Sequence, residues 1–402
     1  MSPLRERTRK YREPQRVQEL GFYSYFRELE SHQGTEVLYK GRKVLMFGSN
    51  SYLGLNNDPR VKEACIKAVE KYGSGCGGSR FLNGTIDLHV QLEQQLADFF
   101  RREAVIAYST GFQVNLGVIP AITGRGDYII LDTHDHASII EGSRLSQATT
   151  VFFKHNDMKS LEAKLKGCGK EAFKLIVIDG VFSMEGDIAK LPEIVALAKG
   201  YNATVFCDCA HAVGVIGEQG RGTPSHFGLE NGEVELMGGT FSKSFASLGG
   251  FISGDADTIN YLKHNSRSFI FSASMTPASV AAVMKSLEIL QNDPNVLKNL
   301  WDNTHFALKS LQELGFETGP TETPIIPIYI RDYEKTFQMS ARLIEENVFV
   351  NTVVPPAVRP EETMIRFSLM ATHSKAQIEE AINKIHKIAK EIDIPLNEPT
   401  SV

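Results

Sequence analysis

"VELMGGTFSKSFASLGGFISG", residues 234–254, is the stretch whose reading decides the fold. Two short apolar runs, "VELMGG" (234–239) and "GGFISG" (249–254), read as buried β-strands. Between them stands a single lysine, Lys243, among Thr240, Ser242 and Ser244. A surface lysine needs no such company. Small polar neighbours leave room for a ligand beside the amine, and the glycines beyond let backbone pack closely around it.

Working outward, the same kind of run recurs as "AVIAYS" (104–109), "YIILD" (128–132), "KLIVID" (174–179) and "ATVFCD" (203–208). Helical patterns alternate with these runs. In "TIDLHVQLEQQLADFF" (85–100), which precedes them, Leu88, Leu92, Leu96 and Phe99 share one helical face. Strands apolar on both sides and separated by helices predict an α/β fold with a mostly parallel sheet covered on two faces. Beyond about residue 290 the rhythm changes to longer helices and amphipathic strands, with "PIIPIYI" and "MIRFSLM" as strand candidates. The closing segment "SKAQIEEAINKIHKIAKEI" opens on a capping box, Ser374 with Gln377, and sets Ile378, Ile382, Ile385 and Ile392 on one side. The expected organisation is an N-terminal segment (1–55) packing on the small domain and the site entrance, a large domain (56–290) and a smaller α+β C-terminal domain (291–402).

Composition narrows the function. Of 402 residues 42% are hydrophobic and 23% charged, which excludes a disordered chain, and a formal net charge of −5 gives no electrostatic case for nucleic acid. Five scattered cysteines (Cys65, Cys76, Cys168, Cys207, Cys209) without a CxxC exclude a disulfide scaffold and a zinc site and suit a reducing cytoplasm. No run is long enough to span a bilayer. The basic start, "MSPLRERTRKYREPQR", reads as a solvated arm that can also touch an anionic membrane.

In open parallel sheets ligands gather at the carboxyl ends of the strands. There this chain is unusually polar: "STGF" (109–112), "THDHAS" (133–138), "GVFSMEGD" (180–187), "DCAH" (208–211) and "TFSKS" (240–244). Asp208 and His211 admit three readings: a carboxylate capping the next helix, a metal ligand pair lacking a third partner, or part of an active site. A desolvated lysine is a nucleophile for carbonyls, so Lys243 suggests an aldehyde cofactor. Pyridoxal phosphate meets every requirement: Lys243 for the aldehyde, Asp208 for the pyridine nitrogen, and hydroxyls with a helix start for the phosphate.

The motifs "DGVFSMEGD", "DCAH", "GTFSKS" and "FSASM", in this order and at these separations, resemble the α-oxoamine synthase family of pyridoxal-phosphate enzymes, with the likeness running from "FGSNSYLGL" (47–55) to "MIRFSLMATHS" (364–374). The resemblance implies the aspartate-aminotransferase-type fold (fold type I) and pyridoxal 5'-phosphate joined to Lys243 as an imine. It further implies that Lys243 transfers the substrate proton, that Asp208 pairs with the ring nitrogen, that His211 contacts the ring's phenolic oxygen and that His136 stacks on the ring. Thr110, Gly111, Phe112, Thr240 and Ser242 are then expected at the phosphate, with Ser272 of "FSASM" reaching in from a second subunit. Ser183 is expected near the ring, Arg366 at the amino-acid carboxylate, and Asn50 and Tyr52 at the entrance.

The implied reaction is a decarboxylating condensation of an amino acid with an acyl-CoA. "GTFSKS" and the lead-in 20–55 resemble the branch of the family that uses L-serine and a long-chain, palmitoyl donor; the alternatives are members using glycine with acetyl-CoA or alanine with a pimeloyl thioester, and a non-catalytic homologous subunit. A homodimer with its site at the subunit interface, in the cytoplasm or peripheral to the inner membrane, completes what the resemblance implies. Cys209 and Ala212 depart from the usual residues around "DxAH", and Cys209 is expected to be sensitive to peroxide. A nucleotide-binding α/β protein fits less well, because no GxGxxG follows a strand and "GSGCGG" (73–78) reads as a loop near the cofactor or CoA entrance.

Overall fold

The apolar runs become the strands of one sheet. In a computed structural model, which describes residues 2–229, 232–355 and 357–397, they are β1 (Ala104–Tyr108), β2 (Tyr128–Asp132), β3 (Thr149–Phe153), β4 (Lys174–Asp179), β5 (Thr204–Asp208), β6 (Leu236–Thr240) and β7 (Gly250–Gly254). The order across the sheet is β1-β7-β6-β5-β4-β2-β3. Neighbours from β6 through β5, β4 and β2 to β3 pair in parallel, and β7 pairs antiparallel with both β6 and β1. The exception has a simple cause. Parallel partners need a crossover of about a dozen residues or more, whereas only residues 241–249 separate β6 from β7.

Helices Gly111–Ile122, Ala137–Leu145, Met158–Gly167 and Leu191–Tyr201 supply the crossovers between β1 and β5. Every residue of β4, β6 and β7 is buried, as strands covered on both faces should be. One side of the sheet packs Ile129, Leu131, Leu175, Val177 and Phe206 against Val114, Val118 and Ile119 of the first crossover helix. β3 escaped the sequence reading. It lies at the sheet edge with mixed exposure and starts on two threonines, so neither a continuous apolar run nor a clean alternation marks it.

The chain divides into two compact units, one comprising Asn50–Leu300 and the other Met1–Ser49 together with Trp301–Val402. The second unit contains a hairpin, Glu36–Tyr39 with Arg42–Met46, that sequence reading also missed. Its two-residue turn places Lys40 (φ 50°) and Gly41 (φ 69°) in the left-handed region, the geometry that matches strand twist in tight hairpins. The expected strands appear as Ile325–Tyr329 and Met364–Ser368, paired antiparallel, with Asn351–Val353 on the other side of the latter. The last helix, Lys375–Glu391, has the Ser374–Gln377 capping box, and its isoleucines 378, 382 and 385 are buried.

The helix expected over 85–100 spans Asp87–Phe100 and buries Leu92, Leu96 and Phe99. Leu88 is only half-buried; His89 and Glu93 go inside with the leucines. Glu93 is satisfied there by both guanidinium nitrogens of Arg80, at 2.7 and 3.0 Å, and by the backbone N–H of Ala107 on β1 at 3.0 Å. Hydrophobic periodicity cannot anticipate a charge that is buried because it is paired.

Candidate active site

Every crossover delivers its loop to the carboxyl edge of the sheet, and there the larger unit opens a cavity of about 270 Å³. After β1 come Thr110, Gly111 and Phe112; after β2, His136 and Ser138; β4 ends on Asp179 and β5 on Asp208, followed by His211; β6 ends on Thr240, followed by Ser242 and Lys243.

One end of the cavity is built for an anion. The helix Gly111–Ile122 starts on the wall, so the unsatisfied N–H groups and positive dipole end of its first turn serve the cavity. Thr110 caps it by accepting from Gln113 N at 3.1 Å. Gly111 must lack a side chain: a Cβ there would stand 2.6 Å from Thr240 Cβ, and one on Gly250 would stand 2.7 Å from Gly111 Cα. Thr240 Oγ1 lies 2.8 Å from Ser242 Oγ and donates to Gly249 O at 3.0 Å, which sets two hydroxyls beside the helix start.

The other end is acidic and layered. Asp208 Oδ1 accepts from Ala210 N at 3.0 Å, and Oδ2 accepts from Asn115 Nδ2 at 2.8 Å. Asp179 stands beside Asp208 in register, and its Oδ2 accepts from His136 N at 2.7 Å. Burial, then the negative charge of Asp208, pushes the Asp179 carboxyl well up and favours its protonated form, with the Lys243 charge opposing. Asp135 is pushed up likewise, by burial and then by Asp179 and Asp132.

His136 caps the helix Ala137–Leu145 with its own imidazole, Nδ1 accepting from Ser138 N at 3.2 Å. Its ring opens on the cavity, yet the protein packed around it lowers its pKa; Asp208 opposes the shift and Lys243 adds to it. On the far side, Tyr52 Oη lies 2.7 Å from His211 Nδ1.

A second layer ties these loops together. His155 sits between Asp132 at the end of β2 (3.1 Å) and Asp187 beyond β4 (3.0 Å). Burial alone would discharge it, but its hydrogen bonds to both carboxylates overcome that and raise its pKa to about 10. Its ring stacks on His134, centroids 4.2 Å apart, whose Nδ1 lies 3.2 Å from Glu185 Oε1.

The structure therefore brings Thr110, Gly111, Phe112, His136, Asp208, His211, Thr240, Ser242 and Lys243 to one cavity. Ser183 lies half-buried on the turn after Asp179, and Ser272 accepts from Gln113 Nε2 of its own chain at 3.0 Å; neither lines the cavity. Tyr52, expected at the entrance, is instead fully buried behind His211, because its hydroxyl is engaged there. Asn50 Oδ1 stands 3.5 Å from the same hydroxyl. Arg366 belongs to the other unit, buried on the strand Met364–Ser368 and donating to Ser368 Oγ at 2.7 Å. Cys209, expected to react with peroxide, has no exposed surface and packs 3.6 Å from Cys207 Sγ, so an oxidant has no access to it. The "GSGCGG" loop (73–78) contacts the 274–275 segment, Ser274 N donating to Gly78 O at 3.0 Å, and does not line the cavity.

Sequence reading missed Asn115, Ser138 and Asp179. Asn115 lies one helical turn after Gly111 and Ser138 two residues after His136, spacings that could have flagged both.

The aminotransferase class I and II family model matches residues 42–385. The chain is 56% identical to a serine palmitoyltransferase of Bacteroides ovatus, over 98% of this chain and all of that one. It is 43% identical to an 8-amino-7-oxononanoate synthase of Thermoanaerobacter pseudethanolicus, over 94% of this chain and 96% of that protein. Among solved structures, serine palmitoyltransferase of S. paucimobilis, in a variant with bound PLP–myriocin aldimine, superimposes with a TM-score of 0.95 at 34% identity, covering 98% of this chain and all of that one. Fold, site and likeness agree: the chain belongs to the aminotransferase class I and II family, with the fold type I architecture, and stands among its α-oxoamine synthases.

Proposed function

We propose that the protein is a pyridoxal-phosphate-dependent serine palmitoyltransferase, which condenses L-serine with palmitoyl-CoA to give 3-ketodihydrosphingosine, CoA and CO2, the first step of sphingolipid synthesis. The observation that carries this reading is Lys243 sharing one cavity with Asp208, His136 and an anion-binding helix start, in a chain 56% identical to a protein of that name.

The residues fit the cofactor. The glycine-lined approach of Gly111 to Thr240 leaves bare N–H groups and two hydroxyls for a phosphate, and Asp208 on the same cavity wall supplies a carboxylate for a ring nitrogen. When bound, pyridoxal phosphate supplies an aldehyde for covalent attachment to amines and a protonated ring that withdraws electrons from the substrate's α-carbon. Lys243 would hold the group through its Nζ and is the base placed to take the substrate's α-proton. Asp208 would favour a proton on the ring nitrogen. His211, held by Tyr52, would contact the ring oxygen, and His136 would cover the ring. Arg366 is the proposed holder of the serine carboxylate, since a guanidinium can bind a carboxylate through two parallel hydrogen bonds. Thr110, Gly111, Phe112, Thr240 and Ser242 hold the phosphate; Ser272 contributes to it from a second subunit, Ser183 approaches the ring, and Asn50 lies at the serine entrance.

The working form is a homodimer. Exposed Phe81, Leu82, Leu248 and Phe271 offer apolar surface for a second copy. Among the described residues no helix is long and apolar enough to cross a membrane. Contact with the inner membrane falls to the N-terminal arm, where exposed Leu4 and Tyr11 accompany Arg5, Arg7, Arg9, Lys10 and Arg12.

Lys243→Ala tests the reading. The variant loses both turnover with serine and palmitoyl-CoA and the visible absorbance of the loaded protein; retention of both refutes it. Offering wild-type protein serine, glycine and alanine with acyl-CoA chains of increasing length separates the three family reactions, and a spectrum that moves only with alanine would point to the 8-amino-7-oxononanoate reaction.

A further inference from the structure

Asn115 lies on the first crossover helix, buried, with no part in the wall of the cavity. Its Nδ2 donates twice, to Asp208 Oδ2 and to Ser138 Oγ, each at 2.8 Å. Ser138 Oγ in turn lies 2.7 Å from His136 Nδ1, and the Ser138 backbone N–H donates to the same nitrogen at 3.2 Å.

The Ser138 backbone N–H can only donate, and its approach to His136 Nδ1 assigns that nitrogen its unprotonated tautomer. The Ser138 hydroxyl must therefore donate to Nδ1, and its lone pairs face Asn115. An ionised Asp208 can only accept, so the Asn115 amide turns its NH2 group toward both partners. That orientation leaves Asn115 Oδ1 buried without a hydrogen-bond partner among the described residues, an unfavourable state that persists because the opposite rotamer would face the carboxylate with a carbonyl.

We propose that Asn115 and Ser138 are positioning residues, a hydrogen-bond relay of fixed polarity that holds Asp208 and the Nε2–H tautomer of His136 in one arrangement. The group at the ring nitrogen and the group over the ring face are thereby set together. Charging His136 would require a proton on Nδ1, which the helix-capping N–H and the Ser138 hydroxyl both oppose. The ionisable groups facing His136 from neighbouring elements are Asp208 at the end of β5 and Lys243 after β6, with Asp179 of β4 holding its backbone N–H. This inference rests on the proposed function, in which Asp208 serves the ring nitrogen.

The test uses holoenzyme labelled with 15N-histidine, His136 being assigned by the resonance that His136→Gln removes. Wild type is expected to show an unprotonated Nδ1 and a protonated Nε2 from about pH 6 to about pH 9. Ser138→Ala should raise the His136 titration by about one pH unit, since a donor to the neutral form is gone. It should also move the pH midpoint of the visible absorbance, although Ser138 does not hydrogen-bond to Asp208. Ser138→Thr restores both, and Asn115→Leu, which removes both donors, moves both. Substitutions that disturb only their own neighbour, or a wild-type His136 protonated on Nδ1, overturn the relay. A wild-type protein without visible absorbance would instead refute the cofactor assignment, while the histidine spectrum would still report on the relay.

Discussion

Replacing His155 with glutamine removes the cation that two loops of the site share. In the folded protein its pKa is raised to about 10 by the Asp132 and Asp187 carboxylates at 3.1 and 3.0 Å, against about 6.5 unfolded. A group with a raised folded pKa stabilises fully below its unfolded value and loses that contribution as pH climbs through the folded one. Each pKa unit is worth about 1.4 kcal/mol, so the charge contributes about 4 kcal/mol at pH 7 and about 1 kcal/mol at pH 9. Glutamine keeps polar contacts with the carboxylates and discards the proton. Urea unfolding of wild type and His155→Gln in parallel should thus show a stability gap that narrows by about 2–3 kcal/mol between about pH 7 and about pH 9. A gap that is constant or widens over that range would refute the argument, because it would mean that His155 is not charged in the fold. The perturbation also reaches function: Asp132 receives the N–H groups of His134 and Asn156 at 2.8 and 2.9 Å, so the loop leading to His136 loosens with it.

Gly111→Ala forces a Cβ to 2.6 Å from Thr240 Cβ, an overlap expected to cost about 1–3 kcal/mol of stability and to weaken pyridoxal phosphate binding at least about tenfold, measured by thermal unfolding and cofactor titration; unchanged binding would show that the helix start does not hold the phosphate. Glu93→Gln leaves the Arg80 guanidinium buried without its charge partner and should destabilise by about 3–5 kcal/mol in denaturant, whereas a loss below about 1 kcal/mol would mean that the pair is solvated. Arg366→Lys keeps the charge but not the fork, so the serine KM should rise about tenfold or more with a smaller change in kcat; an effect confined to the acyl-CoA KM would assign Arg366 elsewhere.

Much of the larger unit was legible because its signals are local. The runs at 104, 128, 174, 203, 234 and 249 are apolar on consecutive residues, as strands covered on two faces must be, and the first five end in the polar clusters that the fold carries to the cavity edge. Lys243 was conspicuous for the same reason, standing alone among small residues. The edge strand Thr149–Phe153 and the hairpin at 36–46 were not legible, since half-exposed strands have weaker patterns. The buried faces of His89 and Glu93 were hidden because their partners, Met275 O and Arg80, lie far along or outside the helix.

The sequence by itself determined the fold class, the cofactor type and many of the residues that line the cavity, because each is written in residue types that stand next to one another in the chain. Only the tertiary structure decided how those residues are held: Tyr52 behind His211, Asp179 beside Asp208, His155 between two carboxylates, and Asn115 joining Asp208 to Ser138. Each of these contacts joins side chains from different strands and helices. Its existence depends on the register in which β2, β4 and β5 align and on the burial that makes a polar group require a partner, and no neighbouring residue encodes either.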